Sequence, residues 1–216
     1  MTWDEFEEKV KEALVNRLKP SDKEPEGPDV EFVQIAKEIT NAYHNVVISS
    51  KETVVGVNRG FSTLGKTALT ALKPGIQAAI FSSLKLMQAS NIKPNTAILF
   101  PIGAAVISYW SGALVPLSIS PLPMPVAPPY ITPTPGSLLL FPGVPIPVVD
   151  GFKKAYSSNF NDSGDLTSED AFALMAKDIR DGFEAHMNSV TGIYVGLIPA
   201  APIPIPMVTP WSGMRP

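Results

Sequence analysis

Gly60-Phe61-Ser62-Thr63-Leu64-Gly65-Lys66-Thr67 matches the phosphate-binding pattern G-x-x-x-x-G-K-[ST] residue for residue. In a working site of this kind backbone amides cradle a phosphate, the lysine reaches the terminal phosphates and the threonine hydroxyl binds magnesium. That chemistry needs a strand before the loop, a long helix after it, and a carboxylate at the end of a second apolar strand. The residues before it, ETVVGVNR, suit a short strand, but Pro74 follows Thr67 within two helical turns. No Asp or Glu occurs between Glu52 and Asp150, and the apolar run that reaches Asp150, VPIPVVD, is broken by prolines. A nucleotide site is therefore the weakest of three functional readings.

Other chemistry is thinly supplied. The chain has no cysteine and two histidines, His44 and His186, which leaves no thiol nucleophile, no disulfide and no Cys- or His-rich metal cluster. No G-x-S-x-G elbow is present, and the acidic residues from Asp4 to Glu8 read as a solvated helix face. We expect no catalytic residues, no cofactor and no metal. Residues 96–115, TAILFPIGAAVISYWSGALV, are long and apolar enough to raise a membrane-active second reading. Pro101, Gly103 and the proline-rich coil that follows count against it, because irregular backbone is not tolerated in lipid unless protein shields it.

The elements that would position any site come next. Thr2 and Glu5 form a capping-box pair, and Trp3, Phe6, Val10, Leu14 and Leu18 recur on one helical face, so residues 1–19 read as an amphipathic helical arm. Residues 20–29, PSDKEPEGPD, read as a linker, leaving 30–216 as the main domain. Helices are predicted over 30–48, with Asp29 as cap, over 62–72, over 74–90 opened by Pro74, and from Leu99 to Trp110 near the cap Asn95. Another follows the turn-like 157–165, capped by Thr167 or Ser168, with Phe172, Met175, Ile179, Phe183 and Met187 on its apolar face. The fold class expected from this pattern is α+β, helix-rich, with short strands and long proline-rich extended segments.

Composition sharpens the picture. The 216 residues include 23 prolines, only 17% are charged, and the net charge is −3. Low charge beside 45% apolar residues is unlike a disordered chain, and no basic block offers a grip on nucleic acid. From Pro94 to Val149 there is no charged side chain at all. The proline-rich straps at 121–135 and 199–210 cannot be helix or central strand, because proline lacks the amide donor. They fit extended segments laid on an apolar surface. The start, MTWDEFEEK, lacks the basic and apolar regions of a secretory signal. Finally, Phe32, Ile35, Ala36, Ile39 and Tyr43 match Phe172, Met175, Ala176, Ile179 and Phe183 at one constant offset, which fits either two amphipathic helices obeying one pattern or an internal repeat of two copies.

Several phrases carry a family resemblance: Ala36-Lys37-Glu38-Ile39 followed by Tyr43, then Ser108-Tyr109-Trp110-Ser111-Gly112-Ala113 with proline-rich sequence behind it. Near the C-terminus come Val190-Thr191-Gly192-Ile193-Tyr194, another proline-rich stretch, and Trp211-Ser212-Gly213. In this order of features, over roughly residues 30–213, the chain resembles virion-associated, largely uncharacterised structural proteins of contractile-tailed (myovirus-type) bacteriophages. The resemblance implies a non-enzymatic virion structural protein of the tail, neck or baseplate, with capsid decoration as a variant. Its partners would be other virion proteins and further copies of itself in a symmetric assembly, with no nucleic acid bound. Its place would be the virion, reached through the host cytoplasm during assembly. Interface residues expected from the sequence are Trp3 and Phe6 in the arm, Tyr109 and Trp110, Pro123, Pro125 and Tyr130 in the strap, and Trp211. For the tryptophans and Tyr109 the ordinary alternative is core packing.

Overall fold

Six helices bury apolar faces against one another in the computed structural model, which describes residues 1–18, 28–54, 57–60, 63–90, 93–112, 134–158, 169–198, 205–211 and 216. The helices are α1 (Trp3–Leu18), α2 (Pro28–Ser49), α3 (Thr63–Ser90), α4 (Thr96–Gly112), α5 (Ile146–Ser158) and α6 (Glu169–Ser189). Between and after them run β1 (Lys51–Val54), β2 (Val57–Gly60), β3 (Thr134–Phe141), β4 (Thr191–Ile198) and β5 (Ile205–Trp211). The linker at 20–27, most of the 121–135 strap and residues 199–204 lie outside the described residues, as do Pro123, Pro125, Tyr130 and the expected caps Thr167 and Ser168.

Each helix packs on the one before it and the one after it, and α6 closes against α1. The six make a ring of alternating direction. Bonds between neighbours fix that direction: the Met1 amine donates to Ser49 Oγ at 2.9 Å, so α1 begins where α2 ends. Lys85 at the far end of α3 meets Asp29 at the start of α2 at 2.8 Å, and Ser83 Oγ donates to the Ile98 carbonyl at 2.9 Å. Arg180 on α6 reaches Glu7 on α1 at 3.3 Å. The ends of α2, α4 and α6 and the starts of α1, α3 and α5 therefore share one end of the ring, and every strand joins the helices there.

The strands form two antiparallel ribbons, β1–β2 and β3–β4–β5. Val54 lies opposite Val57, and Ile193 lies opposite Leu139 on one side and Pro210 on the other. Proline obeys the ladder rule: Pro135, Pro206 and Pro210 sit on the edge strands β3 and β5, and β4 between them has none. Neither ribbon packs on a helix to any comparable extent. Every side chain of the described core comes from a helix, or from Val190 just beyond α6. The α+β expectation is overturned: among the described residues the packed body is helical, six helices buried against one another. The sequence reading gave weight to strand-like runs, whose described pairings are with one another.

Two further expectations change. The predicted break at Pro74 does not occur, and α3 runs continuously from Thr63 to Ser90. An interior proline costs about 3 kcal/mol; here the buried row Leu69, Ile76, Ile80, Leu84 and Met87 continues across it. The first helix is not a free arm either, because Phe6, Val10 and Leu14 are completely buried against α2 and α6. Its capping box forms, with Thr2 N donating to Glu5 Oε2 at 2.8 Å and Glu5 N donating to Thr2 Oγ1 at 3.2 Å.

The ring is built three times over. Buried positions recur at i, i+1, i+4 and i+8 in α2 (Ile35, Ala36, Ile39, Tyr43), in α4 (Ile102, Gly103, Val106, Trp110) and in α6 (Met175, Ala176, Ile179, Phe183). The helix before each has its own shared pattern at i, i+4, i+7 and i+8: Phe6, Val10, Ala13 and Leu14; Ile76, Ile80, Ser83 and Leu84; Val148, Phe152, Ala155 and Tyr156. Three helical hairpins, each leading into strand, thus surround one axis.

Candidate functional site

The ribbon end of the ring concentrates the aromatic and titratable side chains of the described core. Tyr43, Trp110 and Phe183 hold the same place in the three hairpins and meet there. The Tyr43 and Phe183 rings are 4.4 Å apart, and Trp110 Nε1 donates to the Tyr43 hydroxyl at 2.7 Å. Phe6 and Phe152 stand edge-on to Phe183 at 5.7 and 6.0 Å, and Tyr109 stands edge-on to Trp110 at 6.2 Å.

A polar chain runs beside this cluster. Thr70 Oγ1 donates its single proton to the Lys66 carbonyl at 2.7 Å, so at its 3.2 Å contact with His44 Nε2 it must accept. That places the His44 proton on Nε2, and Nδ1 accepts from the Tyr109 hydroxyl at 2.9 Å. Burial, then nearby Lys73, holds His44 below its ordinary range, in keeping with a neutral ring. Burial pushes the Tyr43 and Tyr109 phenols well up. Both nitrogens of His44 are spent on hydroxyls and neither on a carboxylate, so the base–orienter half of a nucleophilic triad is missing. The arrangement holds α2, α3 and α4 together and is built for position, not for proton transfer.

The second histidine works differently. His186 is completely buried on α6, and its Nε2 lies 3.0 Å from the Pro142 carbonyl. A carbonyl only accepts, so the proton is on Nε2; Nδ1 is buried and meets no partner. Gly143 turns beside it with φ +80°, a left-handed conformation that suits glycine. A Cβ at Gly143 would stand 2.5 Å from Ser189 Oγ.

The phosphate-loop candidate does not assemble. Gly60 ends β2 and Thr63 already opens α3, which puts Gly65, Lys66 and Thr67 inside the helix and leaves two residues for the loop. Its strand belongs to an antiparallel pair, not to a parallel sheet with a second carboxylate-bearing strand. Lys66 is exposed. Among the described residues no group of His, Asp and Glu is arranged to hold a metal, and no helix is long and apolar enough to cross a membrane. A shallow groove between α1 and α2 is lined by Lys9, Glu12, Ala13, Asn16 and Glu38. Lys9 and Glu12 pair along its α1 side at 2.6 Å, each about half exposed.

The residues expected at interfaces divide sharply. Trp3, Phe6, Tyr109 and Trp110 are core residues, and Trp3 packs edge-on to Phe6 at 5.6 Å. Their burial in the chain's own ring corrects the docking role expected for them. Trp211 ends β5, paired in register with Gly192. What sequence reasoning missed is the role of the histidines and of Gly143, because their partners lie far away in the chain. The available signal was a third copy of the repeat, ending at Trp110. No protein-family model matches the sequence, and no curated protein or solved structure matches the chain.

Proposed function

We propose that the chain is a non-enzymatic structural subunit of a virion, belonging to the tail, neck or baseplate, and that it works through subunit interfaces. One observation carries the reading. The helices bury one another in a closed ring, whereas β3, β4 and β5, none of which contains a charged residue, pair among themselves beside it. Charge-free strands that pair among themselves are suited to burial between subunits, where obligate interfaces resemble a core cut in half. The edge prolines agree, since they discourage unplanned strand-to-strand growth before assembly. The family resemblance of 30–213 points the same way. In this reading the partners are other virion proteins and further copies of the chain, and the interface lies at the ribbon end, not along α1.

Light scattering coupled to size exclusion, on detergent-free full-length chain with negative-stain images of the peak, tests it. A uniform oligomer with the ribbon ends facing one another is expected. A monomer that persists at high concentration, with its strand amides protected, would mean the ribbons are satisfied within one chain and would remove the reading.

A further inference from the structure

We infer that the turn from β3 into α5 is a clasp that opens on acidification, with His186 as its latch. Two hydrogen bonds tie this turn to the end of α6. His186 Nε2 donates to the Pro142 carbonyl at 3.0 Å, and Val144 N donates to Ser189 Oγ at 3.4 Å. Ser189 Oγ in turn donates to the His186 carbonyl at 2.6 Å, so the two anchors are coupled through one residue. Gly143 bridges them in its left-handed turn, too close to Ser189 for any side chain.

The closed latch favours a neutral ring, because burial opposes the charge more than the Pro142 carbonyl favours it. Nε2–H is already engaged, so an added proton must go to Nδ1, which is buried and faces no acceptor. Closed, the turn would then hold a buried charge and an unsatisfied donor; open, the imidazolium is hydrated. Among the described residues no carboxylate bonds to His186 or shifts its protonation. On α6 the nearest charged side chains are Glu184, Asp181, Arg180 and Asp178; from α1, Asp4 and Glu7 meet Arg180, and from α5, Lys154 meets Asp178. None of them sets the protonation of His186, which responds to burial first and to the Pro142 carbonyl second. Phe141, Val144 and Ile146, about half exposed, flank the turn. Opening therefore frees the β3 end of the ribbon from the helical body at a point already lined with apolar side chains.

Amide exchange measured by NMR on the full chain, corrected for intrinsic pH dependence, provides the test. With the latch pushed down to about 4 and a freed histidine at 6.5, opening at the Val144 amide should rise roughly 20-fold between pH 7 and pH 5. Amides at Ile35 and Ile39 in the middle of α2, which open only with the whole fold, should remain far better protected than Val144 at both pH values. His186→Gln can still donate to Pro142 but does not titrate, so its exchange at Val144 should be flat. Ser189→Ala, which loses the second anchor but keeps the histidine, should move the opening midpoint to higher pH. A wild-type pH response in His186→Gln, an unchanged midpoint in Ser189→Ala, or a wild-type turn that stays closed until α6 itself melts would overturn the clasp.

Discussion

Tyr43 and Phe183 lie on α2 and α6, yet their rings meet at a tilt with centroids 4.4 Å apart, and each fills the same place in its own hairpin. Trp110, the third equivalent residue, joins them through its 2.7 Å bond to the Tyr43 hydroxyl. Equivalent residues of repeated units meet when the units surround a common axis, so this contact is where the three hairpins lock. Phe183→Ala should cost about 3–5 kcal/mol, the usual range for truncating a buried aromatic. Tyr43→Phe removes no core volume but takes away the oxygen that accepts from Trp110 Nε1, at about 1 kcal/mol. Urea denaturation checks both, and a Tyr43→Phe midpoint equal to wild type would show that the bond does not tie the hairpins.

The amphipathic stripes of α1, α2 and α6 were legible because one apolar face at helical spacing survives any arrangement of neighbours. The caps were legible too: Asn95 Oδ1 accepts from Ile98 N at 3.1 Å at the start of α4. Helix α5 was not, since Pro145 and Pro147 made VPIPVVD look like a broken strand. Those prolines stand at the first turn, where an amide has no helical partner to lose. The third repeat stayed hidden because α4 fills the shared positions with Gly103 and Trp110, and an uncharged helix has no polar face to mark its period. The site was least legible. Partners such as His44 with Tyr109, or His186 with Pro142, come together only once the ring has closed.

The α5–α6 crossing depends on two glycines. A Cβ on Gly182 would stand 2.7 Å from the Pro147 carbonyl and 3.0 Å from Gly151 Cα, and backbone cannot yield to it cheaply. Gly182→Ala should therefore destabilise by about 1–3 kcal/mol through overpacking. Gly75 offers the internal control, being exposed in α3 with nothing within 4 Å of an added Cβ. Gly75→Ala should stabilise by up to about 1 kcal/mol by restricting the unfolded chain. Thermal melts of the pair should move in opposite directions; a Gly182→Ala melt at or above wild type would mean the helices can separate without penalty.

Both histidines make the fold acid-sensitive, with a defined sign. His44 and His186 are each depressed by burial, His186 to about 4, so the unfolded chain takes up protons that the folded chain refuses. Stability should be complete above pH 6.5 and decline as pH falls from 6.5 toward 4. His186 alone accounts for about 3 kcal/mol of that decline, at 1.36 kcal/mol per pH unit of separation. Urea midpoints from pH 8 to pH 4 should trace it, and His186→Gln should flatten much of the slope. A slope unaltered by that substitution would place the acid sensitivity in the carboxylates.

Lys66 provides the sharpest check on the phosphate-loop pattern. It is exposed on α3, its carbonyl accepts from Thr70 as an ordinary helix residue, and only Phe61 and Ser62 separate α3 from β2. A phosphate cradle needs several consecutive amides freed from helix to converge on one anion, and here the helix already claims the residues from Thr63 onward. Titrating full-length chain with magnesium and ATP or GTP should release no heat attributable to binding. Lys66→Ala should leave stability within about 0.5 kcal/mol of wild type, as for other exposed positions. Saturable heat in the wild type that disappears in Lys66→Ala would require α3 to unwind at its start on binding, and would restore the nucleotide reading.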